Sequence, residues 1–138
     1  MSMIPKTGIY IPKMQLDEFE RKTNQCIKEL TAASTELLLT EARRVAKRIK
    51  EKAPKGPTGN LKKSTYAVAL PETTSQPAVG FAGIRPRKAP HAHLVEYGHG
   101  GPHPAPPHPF IRPAWDEIKP SVEANLGNGI KKTIEGSF

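Results

Sequence analysis

The longest pattern in the chain is a stripe of apolar residues between residues 15 and 53. Apart from the step of five between Leu37 and Ala42, its members recur at spacings of three, four or seven, which places them on one side of an α-helix. They are Leu16, Phe19, Cys26, Leu30, Ala33, Leu37, Ala42, Val45 and Ile49. Pro54 ends the predicted long helix, because a residue that precedes proline is disfavoured in the α region. Such a helix is about 50 Å long at ~1.5 Å per residue, so we expect part of it to contact another subunit.

Two short apolar runs follow and predict a small sheet over residues 64–98. Thr65–Leu70 and Ala78–Ile84 are rich in strand-forming residues, and the segment 71–77 between them is rich in turn residues. This arrangement favours an antiparallel pair of strands. Leu94–Tyr97 is predicted to add a third strand.

The two ends of the chain and the long loop have weaker patterns. Residues 1–14 are expected to form an extended arm. The Pro/His-rich loop 99–112 is predicted to be irregular, because prolines lack the backbone N–H that regular structure needs. Pro113 suits the first turn of a helix. A C-terminal helical segment is therefore predicted over residues 113–135, kinked or split at Pro120.

The length of 138 residues allows one hydrophobic core. We therefore expect a single domain, residues 1–138, of the α+β class. In it, a long N-terminal amphipathic helix packs on a small, mainly antiparallel β-sheet, and a C-terminal helix follows. A small core that carries long loops suits a protein that is completed by its neighbours.

The formal net charge of +8 indicates an acidic partner, a nucleic acid, or simply solubility. Basic residues are concentrated between residues 43 and 63, where Glu51 is the only acid. Candidate contacts to phosphate or to an acidic partner are Arg43, Arg44, Lys47, Arg48, Lys62 and Lys63. A solvated helix face also explains such a run, and is the more common reason for one.

All five histidines fall in one short part of the chain, and they are the candidates for a metal site. They are His91, His93, His99, His103 and His108. On a strand, His91 and His93 would share one face and could bind a transition metal. The alternative is a polar loop in which imidazoles stack on prolines or bond to backbone carbonyls. No cysteine is near and no recognised ligand spacing is present, so we predict no metal site.

Motifs of catalysis are not found in the sequence. The segment Gly56–Ser64 lacks the glycine that a phosphate-binding loop needs immediately before its lysine, because Leu61 stands there. No Gly-x-Ser-x-Gly elbow is present. Glu96, Asp116 and Glu117 could be paired as acid and base, but nothing in their spacing brings them together. We predict no enzyme activity, no catalytic residue and no cofactor.

Cysteine content and the start of the chain bear on location. Cys26 is the only cysteine, so no intramolecular disulfide can form. The first residues lack the features of a signal peptide, and the longest aliphatic run, Leu37–Leu39, is far shorter than a membrane span. We expect a soluble protein, made in a cytoplasm, that does not bind a membrane.

Two further stretches follow the predicted long helix in a fixed order. The first reads Ala53-Pro54, then Thr58-Gly59-x-Leu61-x-x-Ser64. The second reads Val95-Glu96-Tyr97-Gly98, followed by His108-Pro109-Phe110-Ile111-Arg112-Pro113-Ala114. Together they resemble the tail-component family of tailed bacteriophages, typified by the tenth gene product of a lambda-like siphophage. That family has a Glu-aromatic-Gly-Thr step, where this chain has His99 for the threonine, and a Pro-Phe-aliphatic-Arg-Pro-Ala step before a C-terminal helix.

The resemblance covers residues 16–118 and implies which residues form the structural motif or interface. They are Thr58, Gly59, Leu61, Glu96, Tyr97, Gly98, Pro109, Phe110, Arg112 and Pro113. We expect Phe110 to fill the gap between helix and sheet. We also expect Arg112 to pair with Glu96 as a bidentate clamp that holds the loop closed.

The function that the resemblance implies is that of a structural virion protein in the neck of a tailed phage. Such a subunit is a tail terminator or a head–tail joining protein, made in the host cytoplasm. Its partners would be copies of itself in a hexameric ring, the head-closure or connector protein, the tail tube protein, and packaged DNA that passes through the lumen. The alternative function is a small basic nucleic-acid-binding module.

Overall fold

The computed structural model describes residues 12–56 and 59–137, and the predicted arm 1–14 lies almost wholly outside them. The first element, α1, is a continuous helix over Lys13–Lys52. It confirms the predicted long helix, and Pro12 precedes it at a backbone angle that suits the position before a first helical turn. The following Ala53 is extended, as expected for a residue before Pro54.

A two-stranded antiparallel sheet follows a short helix, α2, over Asn60–Lys63. Its strands are β1 over Thr65–Leu70 and β2 over Val79–Ile84, paired so that Val68 lies opposite Phe81. The antiparallel pair confirms the sequence prediction.

The predicted third strand is wrong. Residues 94–97 belong to a short helix, α3, over Ala92–Tyr97. Helical spacing directs Ala92 and Val95 toward the core and buries Glu96, whereas His93 and Tyr97 remain exposed. A strand would alternate these residues between two faces and could not bury this set together.

The last helix, α4, spans Ile111–Ser137 and begins two residues before the predicted start. Pro120 lies inside it, and the helix is continuous there, so the predicted split is wrong. The residue is exposed, and the carbonyl four residues earlier, which loses its usual N–H partner, can therefore be solvated. Contacts of Arg44 with Ser121 and of Arg48 with Glu117 show that α4 runs antiparallel to the second half of α1.

The buried core lies where α1, the sheet and the start of α4 meet. Its members are Val45, Ile49, Ala53, Leu61, Ala89, Phe110, Ala114 and Val122. Strand β2 approaches α1 closely at Gly80, where an added Cβ would lie 3.3 Å from the carbonyl oxygen of Leu38. This contact shows that Gly80 and its neighbours two positions along the strand face α1. None of the described helices is long and apolar enough to cross a membrane.

Candidate functional site

The two parts of the second sequence motif meet at the side chain of Glu96, which is only 6% exposed. Helix α3 positions this carboxylate at the start of α4. There it accepts hydrogen bonds from the backbone N–H groups of Phe110 at 2.7 Å, Ile111 at 3.0 Å and Arg112 at 3.1 Å. We call this arrangement the Glu96 cap.

The Glu96 cap satisfies the N–H groups that a helix start leaves without partners. The next residue, Pro113, has no N–H, and Ala114 N–H donates to the carbonyl of Phe110 at 3.3 Å. Every donor from residue 110 to residue 114 is therefore accounted for. The negative charge also lies at the positive end of the α4 dipole, which stabilises it further. Glu96 and Pro113 therefore act together, since one accepts from the free N–H groups of the helix start and the other removes one of them.

The predicted bidentate clamp between Arg112 and Glu96 is wrong. Glu96 contacts the backbone of Arg112 and not its guanidinium group, and Arg112 is exposed. Three backbone donors fixed by the helix offer the buried carboxylate a better arrangement than one long side chain that must be ordered first. The two motif segments are joined as expected, but through different atoms.

The Pro/His-rich loop folds back onto α3. His99 and Ala105 exchange backbone hydrogen bonds of 3.0 and 2.9 Å, and His108 N–H donates to the carbonyl of Val95 at 2.8 Å. Gly98 lies at the entry to the loop with a φ of 73° and a ψ of 175°. An added Cβ there would lie 2.8 Å from both the carbonyl oxygen of Ala105 and the nitrogen of Pro107, so only glycine fits.

The aromatic residues of the motif have opposite environments. Phe110 is 1% exposed and lies in the core against α1, as expected. Tyr97 is 79% exposed and contributes nothing to the core. Pro109 is exposed, and Pro113 is half-buried within the first turn of α4.

The first motif is only partly described, because Thr58 lies outside the described residues. Gly59 adopts a left-handed conformation with a φ of 66°, which reverses the chain between α1 and α2. Leu61 then enters the core with 5% exposure.

The five histidines are all exposed. His91 precedes α3, His93 lies on it, and His99, His103 and His108 lie along the loop. Among residues 12–56 and 59–137, no three His, Cys, Asp or Glu side chains are close enough together to hold a metal ion. The structure does not place His91 and His93 on one strand face, because this segment is helical.

Three basic residues in the second half of α1 make contacts within the molecule. Arg44 pairs with Glu41 at 2.7 Å and donates to Ser121 at 2.8 Å. Arg48 and Lys52 both bind Glu117 on α4, Arg48 through Nε at 2.9 Å and Lys52 through Nζ at 2.7 Å. Glu117, one of the carboxylates considered for acid–base chemistry, is therefore part of an ion-pair cluster between helices.

The ion-pair cluster changes the acidity of its members. Hydrogen bonds from Lys52 and then Arg48 lower the pKa of Glu117 below the ordinary value of 4.5. Hydrogen bonds to Glu117 and Glu51 raise the pKa of Arg48. Of the other candidate phosphate contacts, Lys62 donates to the carbonyl of Lys50 at 3.2 Å, and Arg43, Lys47 and Lys63 are exposed.

The first half of α1 extends beyond the core and exposes large apolar side chains. We call one set the helix stripe: Leu16, Phe19, Cys26 and Ile27, which follow helical spacing along one side. Phe19 is 67% exposed and Ile27 57% exposed. The helix stripe lies on the side of α1 that contacts α4 further along the helix. Ile134 of α4 borders the same groove as Phe19 and Ile27.

The sheet also exposes an apolar face. We call it the outer sheet face: Tyr66, Val68, Leu70, Val79 and Phe81. These residues alternate with the positions that face α1, and Val68 and Phe81 are 40% and 45% exposed. Sequence reasoning missed this surface, although both strands lack the polar alternation of a strand with one solvated face, and this lack indicates burial on both sides.

Comparisons with known proteins identify no relative of the chain. No protein-family model, no curated protein and no solved structure matches the chain.

The Glu96 cap should make a measurable contribution to stability. Replacing Glu96 with alanine leaves the buried N–H of Phe110 without an acceptor, which costs about 1–3 kcal/mol. Urea unfolding followed by circular dichroism should show this loss. Glu72→Ala, at an exposed loop position, is the matched control and should unfold at the midpoint of the original protein. Equal midpoints for the two variants would contradict the role of the cap.

The conformation of Gly98 gives a second prediction. Gly98→Ala should destabilise the protein by about 1–3 kcal/mol, the cost of a side chain in this backbone region, with a further cost from the clash at Pro107. Gly100→Ala is the matched control, because nothing lies within 4 Å of a Cβ added there. Limited proteolysis should cut the 99–108 loop faster in Gly98→Ala only. Loops that are cut at the same rate in both variants would contradict the close packing.

The ion-pair cluster predicts a pH dependence at acidic pH. Because the folded-state pKa of Glu117 is lowered, its stabilising effect is complete above the unfolded carboxyl value and is lost as the pH falls through the folded-state value. Thermal unfolding at pH 7 and at decreasing pH should therefore show a larger loss in the original protein than in Glu117→Gln. The effect is small because the group is exposed, and added salt should reduce it. Parallel pH profiles would contradict it.

Proposed function

We propose that the chain is a structural virion protein of a tailed bacteriophage, a neck or tail-completion subunit that forms a ring between tail and head. The ring would act as tail terminator or head–tail joint. The resemblance of the two motifs supports this place in a virion. The Glu96 cap supports it further, since it joins Glu96 of one motif segment to the Pro-Phe-Ile-Arg-Pro segment by three hydrogen bonds.

The observation that carries the proposal is the apolar surface left uncovered on both the helix stripe and the outer sheet face. Phe19, Ile27, Val68 and Phe81 are each at least 40% exposed. Neighbouring exposed apolar residues on this scale are typical of a surface that contacts another protein. A subunit whose core occupies only half of its longest helix is well suited to be completed by its neighbours.

The ring would form from copies of this chain, with six as the expected number. The head-closure or connector protein and the tail tube protein would contact its two ends. Packaged DNA would pass through the lumen. Assembly requires only complementary surfaces, so the function needs no catalytic residue or cofactor. The protein would be made in the host cytoplasm and incorporated into the virion.

The mass of the purified protein in solution tests this proposal. We expect size-exclusion chromatography with light scattering to give a multiple of the 15.1 kDa protomer, and negative-stain images to show rings with a central hole. Immunogold labelling with an antibody to the chain should mark the junction of head and tail in phage particles. A protein that remains a protomer and is absent from virions would contradict the proposal.

The alternative is a small basic nucleic-acid-binding module. The exposed Arg43, Lys47 and Lys63 favour it, because their charges are available for phosphate. This function predicts affinity for duplex DNA that persists in the protomer and falls steeply with salt. Arg43→Glu combined with Lys47→Glu should then abolish DNA binding, whereas in a ring protein the same changes should leave assembly intact.

A further inference from the structure

The helix stripe and the outer sheet face are two uncovered apolar surfaces on one chain, and they are complementary in length, in packing and in the charges around them. We propose that the helix stripe of one copy packs on the outer sheet face of the next copy, so that the chains join head to tail. This inference rests on the proposed ring and specifies the surfaces that build it.

The sheet needs a cover that its own chain cannot supply. The inner face of the sheet packs on the second half of α1, as the close approach of Gly80 to Leu38 shows. The outer sheet face lies opposite the residues that face α1, since Val68 and Phe81 alternate with them. Phe81 also borders the groove between the edge of the sheet, α1 and α4. Because α1 is one continuous helix over Lys13–Lys52, its first half cannot reach the other side of the same sheet. A helix from another copy can.

The two surfaces agree in length and in type of packing. The helix stripe runs from Leu16 to Ile27, about 17 Å at ~1.5 Å per residue. A strand of this sheet, such as Thr65–Leu70, is also about 17 Å long at ~3.3 Å per residue. The sheet already accepts an α-helix on its inner face, and the contact would give it helices on both faces. An isolated two-stranded hairpin is marginally stable, so the second helix would stabilise it.

The charges around the two surfaces are complementary. The start of α1, residues 13–20, contains three acids, Asp17, Glu18 and Glu20, and one base, Lys13. Glu18 is paired with Lys22 at 2.9 Å, so Asp17 and Glu20 are the acids that would face bases of the next copy. The base of the hairpin carries Lys62, Lys63, Arg85, Arg87 and Lys88, with no acid in residues 60–70 or 79–95. Opposite charges at these positions favour the association and set its direction.

Pairing of two helix stripes with each other is less favourable. Helix α4 covers α1 up to the region of Leu30, which Ile134 borders, so only the residues before it are available. An antiparallel pairing over this short stretch sets Glu20 near its own counterpart and Lys22 near its own counterpart. Like charges that face each other are destabilising. The arrangement therefore favours a heterologous contact, which closes into a ring when the rotation between subunits allows it.

Two variants and their mixture test the head-to-tail contact. Phe19→Lys with Ile27→Lys disrupts the helix stripe, and Val68→Lys with Phe81→Lys disrupts the outer sheet face. All four positions are exposed, and circular dichroism checks that both variants are folded. Each variant alone should be a monomer by light scattering. Their mixture should give a species of two protomers and nothing larger, because one intact helix stripe and one intact outer sheet face remain.

Met14→Lys is the matched control. Met14 is 84% exposed but lies on the side of α1 opposite the helix stripe, so this variant should assemble like the original protein. A stripe variant or a sheet variant that still forms a homodimer would overturn the head-to-tail contact, as would a mixture that stays monomeric. In either case rings of the unaltered protein would leave the proposed function standing. An unaltered protein that stays monomeric up to millimolar concentration would overturn the head-to-tail contact, and its absence from virions as well would overturn the proposed function.

Cross-linking provides a second measurement if the sheet variant fails to fold. The native Cys26 lies on the helix stripe, and Val68→Cys places a second thiol on the outer sheet face. A short bis-maleimide should then join the chains into a ladder of oligomers in denaturing gels. The unaltered chain and Val68→Cys combined with Cys26→Ser should give no ladder. Dimers of the unaltered chain linked through Cys26 would indicate pairing of the helix stripes and overturn the proposal.

Discussion

The continuity of α1 is the constraint on which the rest of the molecule depends. One unbroken helix spans Lys13–Lys52. Its second half packs against the core, and its first half therefore extends beyond that core. The first half extends a helix that the packed second half has already nucleated, so it needs no costly nucleation of its own. The hairpin and α4 are both placed by the second half, and the surfaces proposed for assembly are those that this arrangement leaves uncovered.

The Glu96 cap determines how the irregular half of the chain joins this frame. A carboxylate that is nearly fully buried is stabilised by three backbone donors, and Phe110 is thereby placed against α1. The loop before it is long and rich in proline, and its entry at Gly98 permits a conformation that other residues would strain.

The sequence predicted the parts of the fold that have a clear period. The spacing of Leu30, Leu37 and Val45 identified α1, and the β-rich composition of the two strands identified the hairpin. The prediction of a strand over residues 94–97 is wrong because a short apolar run fits a helix turn and a strand equally well, and only the contacts of Glu96 decide between them. The predicted ion pair between Arg112 and Glu96 is wrong for a different reason. The opposite charges of the two side chains indicated it, whereas the unpaired backbone N–H groups of a helix start leave no pattern in the sequence.

The projecting half of α1 also has a mechanical consequence. From Lys13 to Leu30 it forms a lever about 25 Å long at ~1.5 Å per residue, anchored where α4 ends. A tilt of about 10° at that anchor moves the tip by about 4 Å, while the buried residues keep their neighbours. In the proposed ring, where the helix stripe contacts the next copy, such a tilt would change the angle between neighbouring subunits and therefore the diameter of the ring, without repacking the interior of the subunit.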